Sequence, residues 1–302
     1  MSRRTPEYDF SALAVTSVRG QPQNSLSLIL THFPNKATFG LRSPNHQHRE
    51  SAETSFMKRL DTPAPPTLTP HLHVQQDKIF EYRIRRDVAQ GCPLELFTPL
   101  HYEPGYAYPL IVWLHGACDN EAQLRRIMPL TSTRNFVAVG PRGTIRHERA
   151  TSHGFPAYYW SQGERSVSLA SRRVEMAIES ATEQYNIHER RIFLAGYQDG
   201  GTMALRLAFQ NPERYAGVVS IGGPMPRGNA PLRNFAQCES LPILLMHCHE
   251  STYFPEAQLC EDIRLGHSAR LRMDIREYLC GDGMVTDMLD DLNGWVMGQI
   301  LK

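Results

Sequence analysis

The chain has 302 residues, of which 41% are apolar and 21% charged, which is enough for one or two domains with a substantial core. Its 32 Lys and Arg against 31 Asp and Glu give a formal net charge of +1. This balance argues against a nucleic-acid-binding protein that relies on bulk positive charge. The longest apolar runs, such as Leu110–Leu114, are far shorter than the ~18 residues of a membrane-spanning helix. Composition therefore favours a water-soluble globular protein.

Residues 1–70 differ in composition from the rest of the chain. They contain eight of the 21 prolines and carry a net charge of +3, from eight basic and five acidic residues, with no sustained helical or strand period. Such a segment buries too little apolar surface to offset its ordering entropy. We therefore expect a disordered leader or linker over 1–70, followed by a folded domain over 71–302.

From residue 71 onward, short apolar runs alternate with amphipathic segments. Strands alternating with helices over such a length predict an α/β fold with a mostly parallel sheet and helices on both faces. Strands are predicted at Phe80–Ile84, Leu94–Phe97, Pro109–His115, Phe136–Val139, Ile192–Ala195, Gly217–Ile221, Ile243–Met246 and Leu271–Tyr278. Helices are predicted at Val167–Tyr185, Gly201–Gln210, Pro255–Leu265 and Val285–Leu301.

The six cysteines are scattered through these elements, and none forms a C-x-x-C pair. No apolar segment of a secretory signal follows Arg3 and Arg4. These features predict reduced thiols in a cytoplasmic protein.

The most specific motif is a glycine-flanked turn between a predicted strand and a predicted helix, Gly196-Tyr197-Gln198-Asp199-Gly200, followed by Gly201. This is the layout of a nucleophile elbow, G-x-S-x-G. The glycines are needed there because a side chain at either flank would collide with the neighbouring strand or helix.

With this motif, the domain resembles the phospholipase/carboxylesterase family of α/β-hydrolases, which is related to acyl-protein thioesterases and depolymerase-like esterases. The other segments that carry the resemblance are Tyr108–Gly116, Gly140–Gly143 and Leu241–His247. The resemblance implies an α/β-hydrolase fold with a serine nucleophile, an aspartate in one loop and a histidine in a later one.

None of these three catalytic identities is present. By resemblance, the nucleophile position is Gln198, the acid position is Ser251, and the histidine position is Asp282. The last absence does not depend on alignment, because no histidine follows His267. Without an imidazole in the last loop, a hydroxyl nucleophile has no base to activate it.

Backbone parts of the family's machinery are expected to persist. The resemblance places the oxyanion hole at the backbone N–H groups of Ala117 and Asp199, with His115 in a structural role. We expect the Gln198 amide to fill this hole or to turn outward into the cleft. In an alternative, Asp199 is the nucleophile, but this alignment puts Tyr197 where a glycine is needed. The simpler interpretation is that Asp199 is an acidic residue in the first turn of a helix, where the helix dipole favours it.

Other candidate sites are weaker. His247, Cys248, His249 and Glu250 point alternately to opposite faces of a strand end, so we expect neither a metal site nor a cofactor. The aromatic cluster Tyr158–Trp160 is expected in a long loop, and Trp160 is expected at the pocket together with His115. Arg125–Arg126 and Arg172–Arg173 are expected on solvated helix faces.

Two functional hypotheses remain open. The first is a catalytically degenerate family member that binds a small-molecule or acyl ligand in the cleft, or that interacts with a protein partner. The second is an active carboxylic-ester or thioester hydrolase with a non-standard site. A histidine within hydrogen-bonding reach of a Ser, Cys or Asp beside Ala117 and Asp199 would favour the second.

Overall fold

The computed structural model describes residues 26–29, 91–228 and 235–301. Its strands are β1 (Leu26–Ile29), β2 (Leu94–Phe97), β3 (Tyr108–Leu114), β4 (Val137–Pro141), β5 (Ile145–Ala150), β6 (Pro156–Tyr159), β7 (Ile187–Tyr197), β8 (Gly217–Ile221), β9 (Pro242–Cys248) and β10 (Arg272–Tyr278). Its α-helices are α1 (Gln123–Thr131), α2 (Glu164–Gln184), α3 (Asp199–Gln210), α4 (Glu256–Ser268) and α5 (Thr286–Ile300). Short 3₁₀ turns lie at Pro212–Arg214 and Phe235–Cys238.

Eight strands form one sheet in the order β1-β10-β9-β8-β7-β3-β4-β2. The six central strands are parallel, and only the edge strands β1 and β2 run antiparallel to their neighbours. β3, β4 and β8 are buried along their whole length, as expected for strands covered on both faces. The predicted α/β fold with a mostly parallel sheet is confirmed.

Helices cover both faces of this sheet. Along β3, Leu110 and Val112 belong to one core layer with Val174 of α2, whereas Ile111 and Trp113 belong to the opposite layer. The second layer is completed by α1 and α5, through residues such as Leu124 and Leu292. None of the helices in the described ranges is long and apolar enough to cross a membrane.

The predicted strands and helices within the described ranges are present, with ends that differ by a few residues. A separate antiparallel hairpin, β5–β6, was not predicted, and Tyr158 and Tyr159 lie on its second strand rather than in a loop. The predicted strand at Phe80–Ile84 lies outside the described residues. So does most of the predicted leader, from which the structure describes only β1, as an edge strand against β10. The domain division at residue 70 therefore stays a prediction.

The prediction that Arg172 and Arg173 both lie on a solvated helix face is wrong for Arg173. Arg172 is exposed, but Arg173 is 2% exposed, and its guanidinium donates hydrogen bonds to the backbone carbonyls of Arg142 at 3.0 Å and Gly143 at 2.7 Å. A buried arginine must have such partners, since an unpaired buried charge is costly. Arg173 therefore fixes the loop after β4. Arg125 and Arg126 do lie at the surface, where they pair with Glu95 and Asp119.

Candidate active site

The turn between β7 and α3 has a strained backbone. Gln198, between the last residue of β7 and the first of α3, has φ 49° and ψ −119°. A non-glycine residue at positive φ costs about 1–3 kcal/mol and persists only where its surroundings hold it. The Gln198 N–H donates to the carbonyl of Ile221 at 2.8 Å, and its carbonyl accepts from Thr202 at 3.0 Å. The backbone is thus fastened on both sides of the bend.

The flanking glycines permit this close packing. A Cβ on Gly196 would overlap the backbone of Gly200, and a Cβ on Gly200 would overlap the carbonyls of Leu114 and His115. Both obstacles are backbone atoms, which cannot move aside as a flexible side chain can. The spacing of glycines in the sequence therefore has a direct steric cause.

The structure brings Gln198, Ser251 and Asp282 together, from three separate segments. Ser251 follows β9 and donates its hydroxyl to Asp282 Oδ1 at 2.6 Å, while Asp282 follows β10. Gln198 Nε2 donates to the backbone carbonyl of Asp282 at 3.5 Å, and the Tyr197 hydroxyl donates to the same carbonyl. Among the residues that the structure describes, no hydrogen bond joins the Gln198 side chain to Ala117 or Asp199.

The Asp282 carboxylate is occupied by donors from the loop after β9. Besides Ser251, it accepts from Thr252 Oγ1 at 2.5 Å and from the Tyr253 N–H at 3.0 Å. The hydrogen bonds from Ser251 and Thr252 lower the pKa of Asp282 to about 2. The group is therefore an ionised acceptor at neutral pH.

A disulfide joins the same two loops. Cys248, the last residue of β9, is bonded to Cys280, which follows β10. The expectation of six reduced thiols is therefore wrong for this pair, which sequence spacing did not reveal because 32 positions separate the two residues. Cys118 and Cys260 are exposed thiols.

His115 is held in the interior by its two ring nitrogens. Nε2 accepts from the Gly143 N–H at 2.8 Å, so Nδ1 carries the proton and donates to the carbonyl of Gly116 at 2.8 Å. Burial lowers the pKa of His115 to about 4. A neutral imidazole with both nitrogens bonded to backbone links the loops after β3 and β4 and has no capacity left for proton transfer.

A cavity of about 970 Å³ lies beside the elbow. Its walls include Ala117, Asp199, Trp160 and Tyr253, so the residues expected at the oxyanion hole face a common space with Trp160 of the expected pocket wall. His115, the other residue expected at the pocket, is buried and is not among the residues that line this cavity. Gln198, Ser251 and Asp282 instead line a separate small recess.

Asp199 is the acidic group of the cavity nearest to the elbow. Its Oδ2 accepts from the Trp160 N–H at 2.7 Å, and its Oδ1 accepts from the Gly200 N–H at 3.0 Å. Burial raises the pKa of Asp199 to about 7 despite these hydrogen bonds. The carboxyl therefore changes charge near neutral pH.

Sequence reasoning missed several residues of the cavity wall. Arg146, His147 and Arg149 come from the unpredicted β5–β6 hairpin, and Met225 and Arg227 come from the loop after β8. Apolar and polar residues do not alternate clearly along this hairpin in the sequence, because most residues of β5 are exposed and polar. No group of three or more potential metal ligands occurs among the residues described.

Comparisons with known proteins concern the family and the fold of this chain. The family described as phospholipase/carboxylesterase matches residues 105–263, just over half of the chain. A putative esterase, NocK, from Nocardia uniformis subsp. tsuyamanensis is 26% identical over 145 residues, which are 44% of this chain and 40% of that protein.

Solved carboxylesterases share the fold. One from Bacillus cereus has a TM-score of 0.52 at 14% identity and covers 72% of this chain and 98% of its own. One from Mesorhizobium loti has a TM-score of 0.53 at 14% identity and covers 64% of this chain and 90% of its own. At these identities the likeness concerns the fold, which is that of the α/β-hydrolases as the resemblance implies.

Proposed function

We propose that this chain, which belongs to the phospholipase/carboxylesterase family, binds an acyl or ester ligand in the cavity beside Asp199 without hydrolysing it by a serine–histidine–aspartate mechanism. The observation that carries the proposal is the combination of Gln198 at the elbow with Asp282 in the last loop, where the family's mechanism requires a hydroxyl and an imidazole. A carboxamide is not a nucleophile at neutral pH. The fold is kept, but the reacting groups are replaced.

The contacts of Asp282 support this proposal. A general base must reach the nucleophile and must have a pKa near the working pH. The Asp282 carboxylate has a pKa of about 2 and accepts from Ser251, Thr252 and Tyr253. It is therefore too weak a base, and both of its oxygens already accept hydrogen bonds.

The histidines near the cleft also support it. His115 and His247 bond to backbone groups, and His147 Nδ1 accepts from the Arg149 N–H at 3.0 Å. Within the described ranges, no histidine hydrogen-bonds to a Ser, Cys or Asp side chain. The pairing that would favour a non-standard hydrolase is thus missing from this part of the chain.

The cavity suits a ligand with an apolar body and a carbonyl end. Its volume of about 970 Å³ is at the upper end of the range of about 300–1,000 Å³ that small-molecule sites occupy. Tyr159, Trp160 and Met225 supply apolar wall, whereas Ala117 and Asp199 lie on the elbow side. A protonated Asp199 carboxyl could donate to a ligand carbonyl there.

A direct test compares turnover with binding. We expect no hydrolysis of p-nitrophenyl acetate, butyrate or octanoate above background, no labelling by a fluorophosphonate probe, and saturable calorimetric binding of octanoate or methyl octanoate. Tyr253→Ala, at the cavity wall, should weaken this binding, whereas Tyr106→Ala should not, although both side chains are exposed to a similar extent, 42% and 46%. Turnover by the wild type, or no binding of any of these ligands, would overturn the proposal.

A second candidate function is ester hydrolysis with Asp199 as the general base towards a water molecule. It is favoured by one observation, the position of the Asp199 carboxyl in the cavity wall beside Ala117, where burial raises its pKa to about 7. In that case the wild type would turn over esters, Asp199→Asn would abolish the turnover, and Gln198→Ala would leave it intact.

A further inference from the structure

A buried arginine lies on α3, away from the elbow. Arg206 is 7% exposed, and its NH1 group donates to the side-chain oxygen of Gln162 at 3.3 Å. This partner is a neutral amide, whose own Nε2 is buried and makes no hydrogen bond to the described residues. Arg206 Nε likewise has no hydrogen-bond partner within the ranges that the structure describes. Gln162 lines the cavity beside Asp199, so Arg206 is the member of the pair that reaches a second space, and its charge has no carboxylate bonded to it among the described residues.

Arg206 lines a groove of about 470 Å³ between α2 and α3. The α2 side contributes Glu164, Ser168, Ser171 and Arg172, which lie on one side of the helix because they are zero, four, seven and eight positions from Glu164. Two arginines and two hydroxyl groups therefore face the groove, against a single carboxylate at the start of α2. The groove is distinct from the cavity beside Asp199, and its lining residues are different.

We propose that this groove binds a phosphate group, either free or as a small phosphate monoester. A guanidinium that is taken out of water needs a counter-charge with matching acceptors. Glu164 supplies charge to Arg206 only through space, whereas a tetrahedral oxyanion supplies both the charge and the acceptors. Arg206 provides charged donors at the floor, while Arg172, Ser168 and Ser171 provide donors from the α2 wall. Charge-assisted hydrogen bonds of this kind are about twice as strong as neutral ones.

The negative charge of Glu164 should oppose phosphate binding, so a change at Glu164 tests the proposal independently of the arginines. It lines the same groove, and its charge acts on Arg206 through space without a direct hydrogen bond to it. A bound phosphate would be repelled by this carboxylate. Neutralising Glu164 should therefore strengthen phosphate binding, whereas neutralising Arg172 should weaken it.

The experiment is a calorimetric titration of the full chain with sodium phosphate, against sodium chloride at matched ionic strength. We expect saturable binding of one phosphate, weakened by about tenfold or more in Arg206→Gln and by a smaller factor in Arg172→Gln. Glu164→Gln should bind more tightly than the wild type. Arg190→Gln, which changes an exposed arginine outside the groove, should bind like the wild type.

Two further arms complete the test. Thermal melts without phosphate show which variants fold; if Arg206→Gln does not fold, the opposite shifts of Arg172→Gln and Glu164→Gln decide the matter. A titration with glycerol phosphate distinguishes the source, since tighter binding than inorganic phosphate indicates a monoester ligand. Absence of saturable phosphate binding in the wild type, or equal affinity in all folded groove variants, would overturn the proposal.

Discussion

The two sides of the cleft are held together by different means. On the elbow side, Gln198 is fastened by backbone hydrogen bonds to Ile221 and Thr202, and Gly200 packs against backbone carbonyls. On the loop side, Ser251 and Asp282 are joined through their side chains. Backbone geometry tolerates a change of side chain at the central position, so a turn of this shape can have glutamine at its centre. Catalysis, in contrast, depends on which side chain is present.

The loop side joins the positions that the resemblance assigns to the acid and the histidine. The family resemblance implies an acid in the loop after β9 that accepts a hydrogen bond from an imidazole in the loop after β10. Here the loop after β9 supplies the donor, Ser251, and the loop after β10 supplies the acceptor, Asp282, at 2.6 Å. Relative to the arrangement that the resemblance implies, donor and acceptor are exchanged between the loops, and the Cys248–Cys280 disulfide joins the same two loops.

Rebuilding the loop side in steps should have the largest effect. Gln198→Ser alone should stay near background on p-nitrophenyl acetate, because the new hydroxyl has no base beside it. Adding Asp282→His should raise kcat/KM by about 10²–10⁴-fold, the usual value of general-base catalysis. Adding Ser251→Asp should raise it further by orienting the imidazole, since such residues act as a unit.

The matched control for this series is Gln198→Ser with Asp282→Asn, which removes the carboxylate without supplying an imidazole. It should remain as inactive as the single variant. If it were as active as the histidine variant, the gain would come from loss of the Asp282 charge, and the assignment of Asp282 to the histidine position would be wrong.

The elbow side could be predicted because its signature in the sequence is local, although contacts that hold it, to Leu114, His115 and Ile221, are not. The spacing of Gly196 and Gly200 between an apolar run and an amphipathic segment indicates the strand, the turn and the helix together. The buried strands can be predicted equally well from the sequence, since runs such as that of β3 consist almost entirely of apolar residues. These features lie within about ten residues of one another, so no knowledge of the tertiary structure was needed.

The rest of the site depends on contacts between distant segments. The Cys248–Cys280 disulfide and the burial of Arg173 against the loop after β4 have no local signature in the sequence. The β5–β6 hairpin was missed because its exposed residues lack an apolar alternation. The pKa of Asp199 follows from its burial beside Trp160, which a first-turn acid does not reveal by its position alone.

A steric test of the elbow side should have the next largest effect. Gly200→Ala should lower the free energy of unfolding by about 3 kcal/mol or more, because the new methyl group meets two backbone carbonyls. For a domain of this size that corresponds to a Tm lower by about 6–12 °C. Gly298→Ala in α5 is the control, since a Cβ there meets no atom within 4 Å. It should leave the Tm unchanged or raise it slightly, and an equal loss in both variants would contradict the packing account.

The smallest expected effect is the pH dependence of stability that Asp199 contributes. Burial raises its pKa from 3.8 to about 7, so between these values the folded protein holds a proton that the unfolded chain has released. Stability therefore falls as the pH rises through this window, and the contribution is most favourable below it. Urea unfolding across the window should show the wild type gaining stability relative to Asp199→Asn as the pH is lowered.

Asp290→Asn, at an exposed position of α5, should show no such trend against the wild type. The prediction fails if the difference in the free energy of unfolding between the wild type and Asp199→Asn is the same at every pH in the window. In that case the Asp199 carboxyl would be as well solvated in the folded protein as in the unfolded chain.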